Sequence, residues 1–384
     1  MVYFDNAATT FPKPSSVYKG CQIAMYKFGA NPGRSGHRLS METAEMVFTA
    51  REAVAQFFNA SSVENVIFTA NCTMSINMVL KGLLKKGDHV VISNLEHNAV
   101  ARPVHKMKTE KIIDYTVFAV EEGSDEKTLQ NLKRALRPNT KLVFCTHASN
   151  VFGIKLPIRE IGVICKSKGV LFGVDAAQTA GIVPIDVKKD NIDFLCIAPH
   201  KGLYALTGTG ILIAEKPEKL ETIIEGGTGS GTLELIQPQM LPDKMESGTL
   251  NVVGISSILY GINTLKRVGI ENISKHEFSI VQSVYKRLAM NSRVKLYTSF
   301  PNERYHVPVL SFNIDGTDSA ESVSVLSEKG FALRGGLHCA PIAHLSRKTE
   351  KTGTARLCPS MFTTQQQAND LCDAIFSIST RKNL

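Results

Sequence analysis

Short apolar runs alternate with longer amphipathic segments from about residue 63 to residue 213. Apolar residues at helical spacing, for example over 75–84 and 158–168, separate the runs, and turn residues such as Gly87 lie at several junctions. Buried strands that alternate with helices are typical of a mainly parallel sheet with helices on both faces. The pattern therefore predicts an α/β fold with strands at 66–68, 89–92, 142–145, 170–174 and 194–197.

The pattern changes after about residue 251, where long helical stretches precede short strands. The predicted elements of this part are helices at 254–267, 275–290, 319–329 and 365–379 and strands at 294–297 and 309–314. This indicates a smaller α+β C-terminal domain. The opening residues are too few to form a domain of their own and are expected to pack with it. We predict a large domain at 14–250 and a small domain made of 1–13 and 251–384.

Composition narrows the function classes. The chain has 384 residues, of which 43% are hydrophobic, and its formal net charge is +9. A basic surface of this kind serves either nucleic acid or small anionic ligands. The Lys and Arg residues are dispersed and Trp is absent, which favours the second, so no nucleic-acid partner is predicted.

Two further features bear on the compartment. No apolar stretch approaches the roughly 18 residues that a membrane helix needs, and the N-terminus has no signal-peptide pattern. We therefore predict a cytoplasmic protein without a membrane partner. The eight cysteines are scattered, which is expected of reduced thiols and not of a disulfide framework.

Three pieces of the chain suggest a cofactor site at the carboxyl edge of the sheet, where open α/β sheets bind ligands. Asp175 ends one predicted strand and Lys201 follows another. Enzymes that use pyridoxal 5'-phosphate (PLP) need such a lysine as a Schiff-base amine and an acid that keeps the pyridine nitrogen protonated. At Cys72 and Thr73 a strand runs into a helix, whose free amides make a phosphate cradle. Taken singly, Asp175 and Thr73 are also consistent with helix caps, and Lys201 with a surface lysine.

A glycine-rich polar loop, 334–341, suggests a reactive thiol. Cys339 follows two glycines, and Arg334 and His338 are placed to lower the pKa of its thiol. The alternative is a buried structural cysteine, which we assign to the other seven. The rival hypothesis is a zinc site formed by residues of this loop together with His344 and Cys358. The spacing of these residues matches no standard zinc motif, so we predict no metal.

These elements, in this order, resemble the class V aminotransferase family of PLP enzymes, and within it the type II cysteine desulfurases and selenocysteine lyases. The resemblance runs from the segment 5–10 to the segment 362–364. It implies a PLP fold-type I homodimer, with a mainly parallel sheet in the large domain and the smaller α+β domain after it. Several motifs in family order are far more specific than any one of them.

The resemblance implies individual roles at the cofactor. Lys201 forms the Schiff base, Asp175 pairs with the pyridine nitrogen, and Gln178 reaches the ring hydroxyl. His97 stacks on the ring and belongs to the catalytic set. Asn150 lies near the ring hydroxyl or the substrate.

The phosphate is assigned to Cys72, Thr73, His200 and Thr249, the last reaching across the dimer interface to the partner's site. There is one departure from the family pattern. Ala198 and Pro199 stand where the family has a hydroxyl residue and then glycine, so a phosphate contact and a backbone donor are lost.

The resemblance also implies the substrate side. Cys339 attacks the sulfur of a cysteine–PLP adduct, alanine leaves, and a persulfide remains on the enzyme. Arg356 holds the substrate carboxylate, for which the guanidinium fork is suited. Arg334, together with Arg34 and His37, is assigned to the substrate entrance. Pro341 comes one residue earlier than in the type II loop.

The predicted function is therefore a PLP-dependent cysteine desulfurase that converts L-cysteine to L-alanine and passes the Cys339 persulfide to an acceptor protein or thiol. Three alternatives stay open. The first is a selenocysteine lyase, acting on L-selenocysteine with the same scaffold. The second is another class V reaction, against which Cys339 and its loop argue. The third is a non-catalytic sulfur carrier, favoured only by Ala198 and Pro199.

Overall fold

A seven-stranded sheet forms the centre of the larger part of the molecule. The computed structural model describes residues 1–33, 36–231 and 233–379. The strands of this sheet are β2 (Val66–Thr69), β3 (His89–Ser93), β4 (Asp114–Phe118), β5 (Thr140–Thr146), β6 (Leu171–Asp175), β7 (Phe194–Ile197) and β8 (Gly210–Ala214). Their order is β2-β8-β7-β6-β5-β3-β4, and β8 runs antiparallel to both its neighbours while the other pairs are parallel. The predicted α/β fold with a mainly parallel sheet is confirmed.

Helices cover both faces of this sheet. They are α1 (Ser15–Lys27), α2 (Arg38–Phe58), α3 (Cys72–Leu83), α4 (Asn98–Thr109), α5 (Asp125–Ala135) and α6 (Ile158–Lys168), with a 3-10 turn at Pro217–Lys219. Along β5, Val143 and Cys145 join one apolar core and Leu142 and Phe144 join the other, because successive side chains point to opposite faces. Burial on both faces explains the uninterrupted apolar runs in the sequence.

The remainder of the chain forms a smaller α+β part. Its elements are α7 (Val252–Val268), α8 (Ile270–Leu288), β9 (Val294–Leu296), β10 (Leu310–Ile314), α9 (Ser319–Glu328), β11 (Phe331–Ala332), α10 (Pro341–Ser346), β12 (Ala355–Leu357) and α11 (Gln365–Ser379). Strands β9, β10 and β12 form an antiparallel sheet, and the opening strand β1 (Val2–Tyr3) pairs in parallel with β11. Within the described ranges, no helix has the length and apolar character needed to cross a membrane.

Helix α7 packs with the large sheet. Its Ile255, Ile258 and Ile262 join the same apolar core as α2, and α7 lies against α1 and α2. From the sequence, this helix was predicted to lie in the small domain. An apolar stripe shows that one face of a helix is buried, but it does not identify the element that covers this face. The division into 14–250 and 1–13 with 251–384 stays a prediction.

Glu122, which follows β4, joins the two parts of the molecule. Its carboxylate accepts hydrogen bonds from Ser299, from His306 at 3.1 Å and from Arg347 at 2.7 Å. Burial alone would raise the pKa of Glu122, but these hydrogen bonds and the Arg347 charge outweigh it and lower the pKa to about 2. Arg347 directly follows α10, so the segment after the Cys339 loop is held to the large sheet.

A buried ion pair holds α2 to the segment before α7. Arg51 on α2 binds Glu246 through two parallel contacts, Nη1–Oε1 at 2.7 Å and Nη2–Oε2 at 2.8 Å. The amide of Phe68 on β2 donates to the same carboxylate at 2.6 Å. Both side chains are almost inaccessible to water, so removal of either partner leaves a buried charge without its counterion.

We expect Arg51→Leu to lower the free energy of unfolding by about 3–5 kcal/mol, because Glu246 would remain buried and unpaired. Arg38→Leu on the same helix is the matched control. Arg38 pairs with Glu42 on the exposed surface, and such a pair contributes at most about 1 kcal/mol. Denaturant unfolding of the two variants measures the difference. Equal losses of stability would contradict the assignment of the buried pair.

Candidate active site

A cavity of about 220 Å³ opens at the carboxyl edge of the sheet, where β6 and β7 end. It gathers most of the site residues that the sequence predicted: Cys72, Thr73, His97, Asn150, Asp175, Gln178, His200, Lys201, Arg334, His338 and Arg356. These residues come from both parts of the chain, so the site lies between the large sheet and the small α+β part.

Asp175 ends β6 and Lys201 follows β7, the adjacent parallel strand, so an acidic and a basic side chain meet at this edge of the sheet. The side chain of Asp175 is buried and accepts a hydrogen bond from the Ala177 amide at 2.9 Å. Burial raises the pKa of Asp175, while that amide and the Lys201 charge oppose the rise. Burial lowers the pKa of Lys201, and Asp175 opposes that change. Each group therefore stabilises the charged form of the other in a site from which water is largely excluded.

The start of α3 approaches this pair. Asn71 caps the helix, since its Oδ1 accepts from the Met74 amide at 2.9 Å. Cys72 begins the helix and donates its thiol to Asp175 Oδ1 at 3.6 Å. The close turn depends on Gly210 of β8, where a Cβ would lie 2.3 Å from the carbonyl carbon of Asn71. Cys72 and Thr73 of the first turn of α3 line the cavity, and the free amides of a helix N-terminus are suited to bind an anion.

His97 lies at the N-terminus of α4, where its Nδ1 accepts from the Ala99 amide at 3.0 Å. Burial, together with the charge of Lys201, lowers the pKa of His97 to about 4, so its ring is neutral at physiological pH. The preceding residue, Glu96, is fully buried and accepts hydrogen bonds from Ser93 and from the Thr146 amide. No role was predicted for Glu96 from the sequence, although its carboxylate joins the ends of β3 and β5.

Arg356 on β12 is almost completely buried beside the cavity. Its Nη1 donates to the Asn150 carbonyl at 2.8 Å and its Nη2 to Asp5 Oδ1 at 2.8 Å. Burial lowers the pKa of Arg356 and Asp5 opposes this, so the guanidinium keeps its charge. Its Nε has no partner among the described residues. Asp5 was not predicted as a site residue, although the segment 5–10 already carried the family resemblance.

The peptide before Lys201 is held by the N-terminal segment. The carbonyl of His200 accepts from the Thr10 amide at 3.1 Å and from Lys13 Nζ at 2.8 Å. Burial and the charges of Lys201 and Lys13 lower the pKa of His200 to about 4, and its Nδ1 has no partner in the part of the chain that the structure describes. Neither Thr10 nor Lys13 was predicted, because a contact between residues nearly 190 positions apart leaves no local signal.

The loop before α10 brings Cys339 to the surface. Cys339 is exposed, and Arg334 Nη2 lies 4.0 Å from its Sγ. The Cys339 carbonyl accepts from the Asn98 amide at 2.7 Å, and Asn150 donates to the His338 carbonyl at 2.8 Å. The main chain on both sides of the thiol is therefore bonded to the walls of the cavity.

His338 does not act on the thiol as the sequence suggested. Its side chain is buried, with Nε2 2.9 Å from the Thr354 carbonyl. Burial lowers the pKa of His338 far below its usual range, so the ring is neutral. The expectation that His338 supplies positive charge is wrong, and Arg334 is the cation beside Cys339.

Thr249 and His37, two predicted site residues, lie apart from the cavity. Thr249 lines a separate cavity and accepts a hydrogen bond from Asn31 at 3.3 Å. His37 caps α2 through its Nδ1, which accepts from the Ser40 amide at 3.2 Å. Arg34 lies outside the described residues.

The predicted alternative of a zinc site receives no support from the geometry. In residues 1–33, 36–231 and 233–379, no group of three or more His, Cys, Asp or Glu side chains is arranged to hold a metal ion. His344, one of the rival ligands, has its Nδ1 2.7 Å from the Thr349 hydroxyl.

The family model described as Aminotransferase class-V matches residues 2–371. The chain belongs to this family. Among curated relatives, the probable cysteine desulfurase of Methanothermobacter thermautotrophicus is 32% identical over 98% of this chain and 94% of its own length. The probable cysteine desulfurase of Pyrococcus abyssi is also 32% identical, over 93% of this chain and 88% of its own.

Solved structures of the family agree with the fold over nearly the full chain. The apo structure of cysteine desulfurase from Thermococcus onnurineus NA1 superposes with a TM-score of 0.92 at 28% identity, covering 98% of this chain and 94% of that one. The cysteine desulfurase CsdA from Escherichia coli superposes with a TM-score of 0.86 at 26% identity and the same coverage. The resemblance inferred from the motifs is confirmed.

Thiol chemistry gives a test that does not depend on the function. Cys339 is exposed, whereas the other seven cysteines are buried. We expect one thiol per chain to react rapidly with dithionitrobenzoate in the native protein, and the others to react only after unfolding. Cys339→Ser should remove the rapid phase, and Cys21→Ala should keep it. A second rapid thiol would show that another cysteine is accessible.

Proposed function

We propose that this protein is a PLP-dependent cysteine desulfurase, which converts L-cysteine to L-alanine and leaves a persulfide on Cys339. The observation that carries the proposal is the position of an exposed thiol on a loop whose neighbours Arg334 and His338 line the cavity of Lys201 and Asp175. Membership of the class V aminotransferase family and the names of its relatives support the same reaction.

The residues around the cavity fit PLP. Asp175 is a buried carboxylate whose own partners are a backbone amide and a thiol, which leaves it suited to a protonated ring nitrogen. His200 Nδ1 and Asn150 Oδ1 are buried polar atoms without partners in the described part of the chain, and such atoms are costly unless a ligand satisfies them. Lys201 would hold the cofactor covalently, and the N-terminus of α3 with His200 would hold its phosphate.

When bound, PLP supplies an electron sink that stabilises negative charge on the substrate carbon. The chain provides acid–base and binding groups around it. Burial favours the neutral amine of Lys201, so this side chain is suited to accept a proton from the substrate. Arg356 is suited to the substrate carboxylate, because Asp5 and the Asn150 carbonyl hold its fork in a fixed orientation.

The sulfur step belongs to Cys339. Its thiolate attacks the sulfur of the bound substrate, an S–S bond forms, and the bond between that sulfur and the substrate carbon breaks. The electron pair stays with the substrate, which becomes alanine after it takes up a proton. Arg334 lies 4.0 Å from Sγ, on the loop that carries the thiol. The persulfide can then be passed to an acceptor protein or thiol.

The proposal includes a homodimer in which Thr249 acts at the partner's phosphate site. What supports it is the position of Thr249 outside the cavity of its own chain. Ala198, which lines the cavity without a hydroxyl, makes such a contribution more important.

Lys201→Ala should lose the yellow absorbance of lysine-bound PLP after dialysis, because no other lysine among the described residues lines the cavity. Lys155→Ala is the matched control, since Lys155 is also partly buried but binds the Glu303 carbonyl away from the cavity. Retained absorbance in Lys201→Ala would assign the cofactor to another lysine.

Mixing Lys201→Ala with Thr249→Ala subunits should restore activity through one intact site per mixed dimer. Failure to restore activity would contradict the role of Thr249 across the interface.

Cys339→Ser should keep the absorbance and the fold but lose alanine formation from L-cysteine by roughly a hundred-fold or more, since the sulfur then has no nucleophile to accept it. Mass spectrometry of the unmodified protein after brief exposure to cysteine should place one added sulfur on the peptide that contains Cys339. Assaying L-selenocysteine in parallel separates the selenocysteine lyase alternative, because a selenol is the better leaving group. An added sulfur on Cys358 would overturn the assignment.

A further inference from the structure

Glu277 on α8 is a buried acid that the proposed reaction does not use. Its side chain is 2% exposed, and the hydroxyl of Tyr204 lies 3.5 Å from its Oε1. Among the described residues it forms no ion pair. Burial raises the pKa of Glu277 to about 8, with the Tyr204 hydroxyl opposing the rise. The group therefore exchanges a proton near physiological pH, unlike an ordinary surface carboxylate.

A second, smaller cavity connects this acid with Lys201. It has a volume of about 30 Å³, and both Lys201 and Glu277 line it, together with polar side chains of Asn6, Thr10 and Gln178. This is close to the volume that one water molecule occupies in the liquid, and the lining offers the polar partners that a buried water needs. Lys201 also lines the larger cavity. Lys201 and Gln178 thus line both the cavity of the proposed site and the small cavity that reaches Glu277.

The proposed reaction removes two protons from the substrate in succession. L-Cysteine arrives with its amine as an ammonium ion, and this nitrogen must lose a proton before it acts as a nucleophile. The substrate carbon must then lose a proton as well. Lys201 has one amine and can hold only one of these protons at a time, so a second acceptor within reach of it would let the two transfers follow one another.

We propose that Glu277 is this second acceptor, exchanging a proton with Lys201 through water in the small cavity. A proton leaves the Lys201 ammonium, crosses the water and binds the Glu277 carboxylate, which leaves Lys201 neutral for the next transfer. When alanine departs, the proton returns by the same route and the amine of the product leaves as an ammonium ion. Only N–H and O–H bonds form and break. The inference rests on the proposed function.

The other titratable groups around Glu277 do not compete with it. Burial raises the pKa of Tyr204 well above its usual value, and burial likewise raises that of Cys358, which also lines the small cavity. Both stay protonated at neutral pH. His276, the neighbour of Glu277 on α8, has its Nε2 2.8 Å from the Thr363 carbonyl. Lys201 is the cation that lines the small cavity with Glu277.

The rival role for Glu277 is structural. Its contact with Tyr204 helps to hold the phenol, whose oxygen accepts from the Met361 amide at 3.2 Å. Two variants separate the roles. Glu277→Gln keeps the shape of the side chain and the contact with Tyr204 but cannot bind a proton. Tyr204→Phe removes the hydroxyl from the same contact and keeps the carboxyl group.

We expect Glu277→Gln to retain the PLP absorbance and the persulfide on Cys339 but to form alanine roughly ten-fold more slowly near pH 7. The deficit should shrink as pH rises, because the substrate amine then loses its proton to solution. Tyr204→Phe should keep the relay but shift its pH profile upward, because the Tyr204 hydroxyl opposes the rise in the Glu277 pKa. A wild-type rate and profile in Glu277→Gln, loss of PLP from it, or the same deficit in Tyr204→Phe would each overturn the relay.

Stability of the cofactor-free protein gives an independent measurement. The Glu277 carboxyl ionises near pH 4.5 in the unfolded chain and near 8 in the folded protein. The stability that the protonated Glu277 carboxyl contributes is complete below its pKa in the unfolded chain. This contribution is lost as pH rises through its pKa in the folded protein. The unmodified protein should therefore lose stability relative to Glu277→Gln between about pH 4.5 and 8. A constant difference over this window would show that Glu277 does not titrate as the relay requires.

The two proposals fail in different ways. If the unmodified protein forms no alanine from L-cysteine, the proposed function is wrong whatever Glu277 does. If it forms alanine and persulfide but Glu277→Gln behaves as the unmodified protein, only the relay is wrong.

Discussion

The site depends on one acidic and one basic side chain that meet at the ends of two adjacent parallel strands. Asp175 closes β6 and Lys201 follows β7, and burial works against the charged form of both. In a parallel sheet all carboxyl ends meet at one edge, so this arrangement requires no special loop. The surrounding elements supply what a strand end lacks: the amides of α3, the neutral ring of His97 and the peptide held by Lys13.

Much of the sheet could be predicted because its strands are buried on both faces and read as apolar runs. The run 194–197 became β7 without any shift of its ends, and Lys201 follows it as expected. Strands β4 and β8 were not among the strands predicted, and the residues of β4 are mostly half-exposed and mix polar with apolar types. Helix α7 was predicted, but its packing against α1 and α2 was not, since periodicity identifies a buried face and not the surface that covers it.

The site followed the same rule. Residues with distinctive chemistry in a recognisable motif, such as Lys201, Arg356 and Cys339, could be named from the sequence. Residues that act by being close in space could not. Asp5 lies 351 positions from the arginine that it binds, and Glu277 lies on a helix whose sequence shows only an amphipathic pattern. The charge of His338 was misjudged because burial, which decides it, is a property of the folded chain.

The hydrogen bond from the Asn98 amide to the Cys339 carbonyl has a consequence for delivery of the sulfur. It anchors the main chain of the loop to the first turn of α4, so a sulfur on Cys339 travels only as far as rotation of one short side chain carries it. Under the proposed function, an acceptor would therefore bring its own thiol to the surface where Cys339 is exposed, and the fit between the two proteins there would select the acceptor.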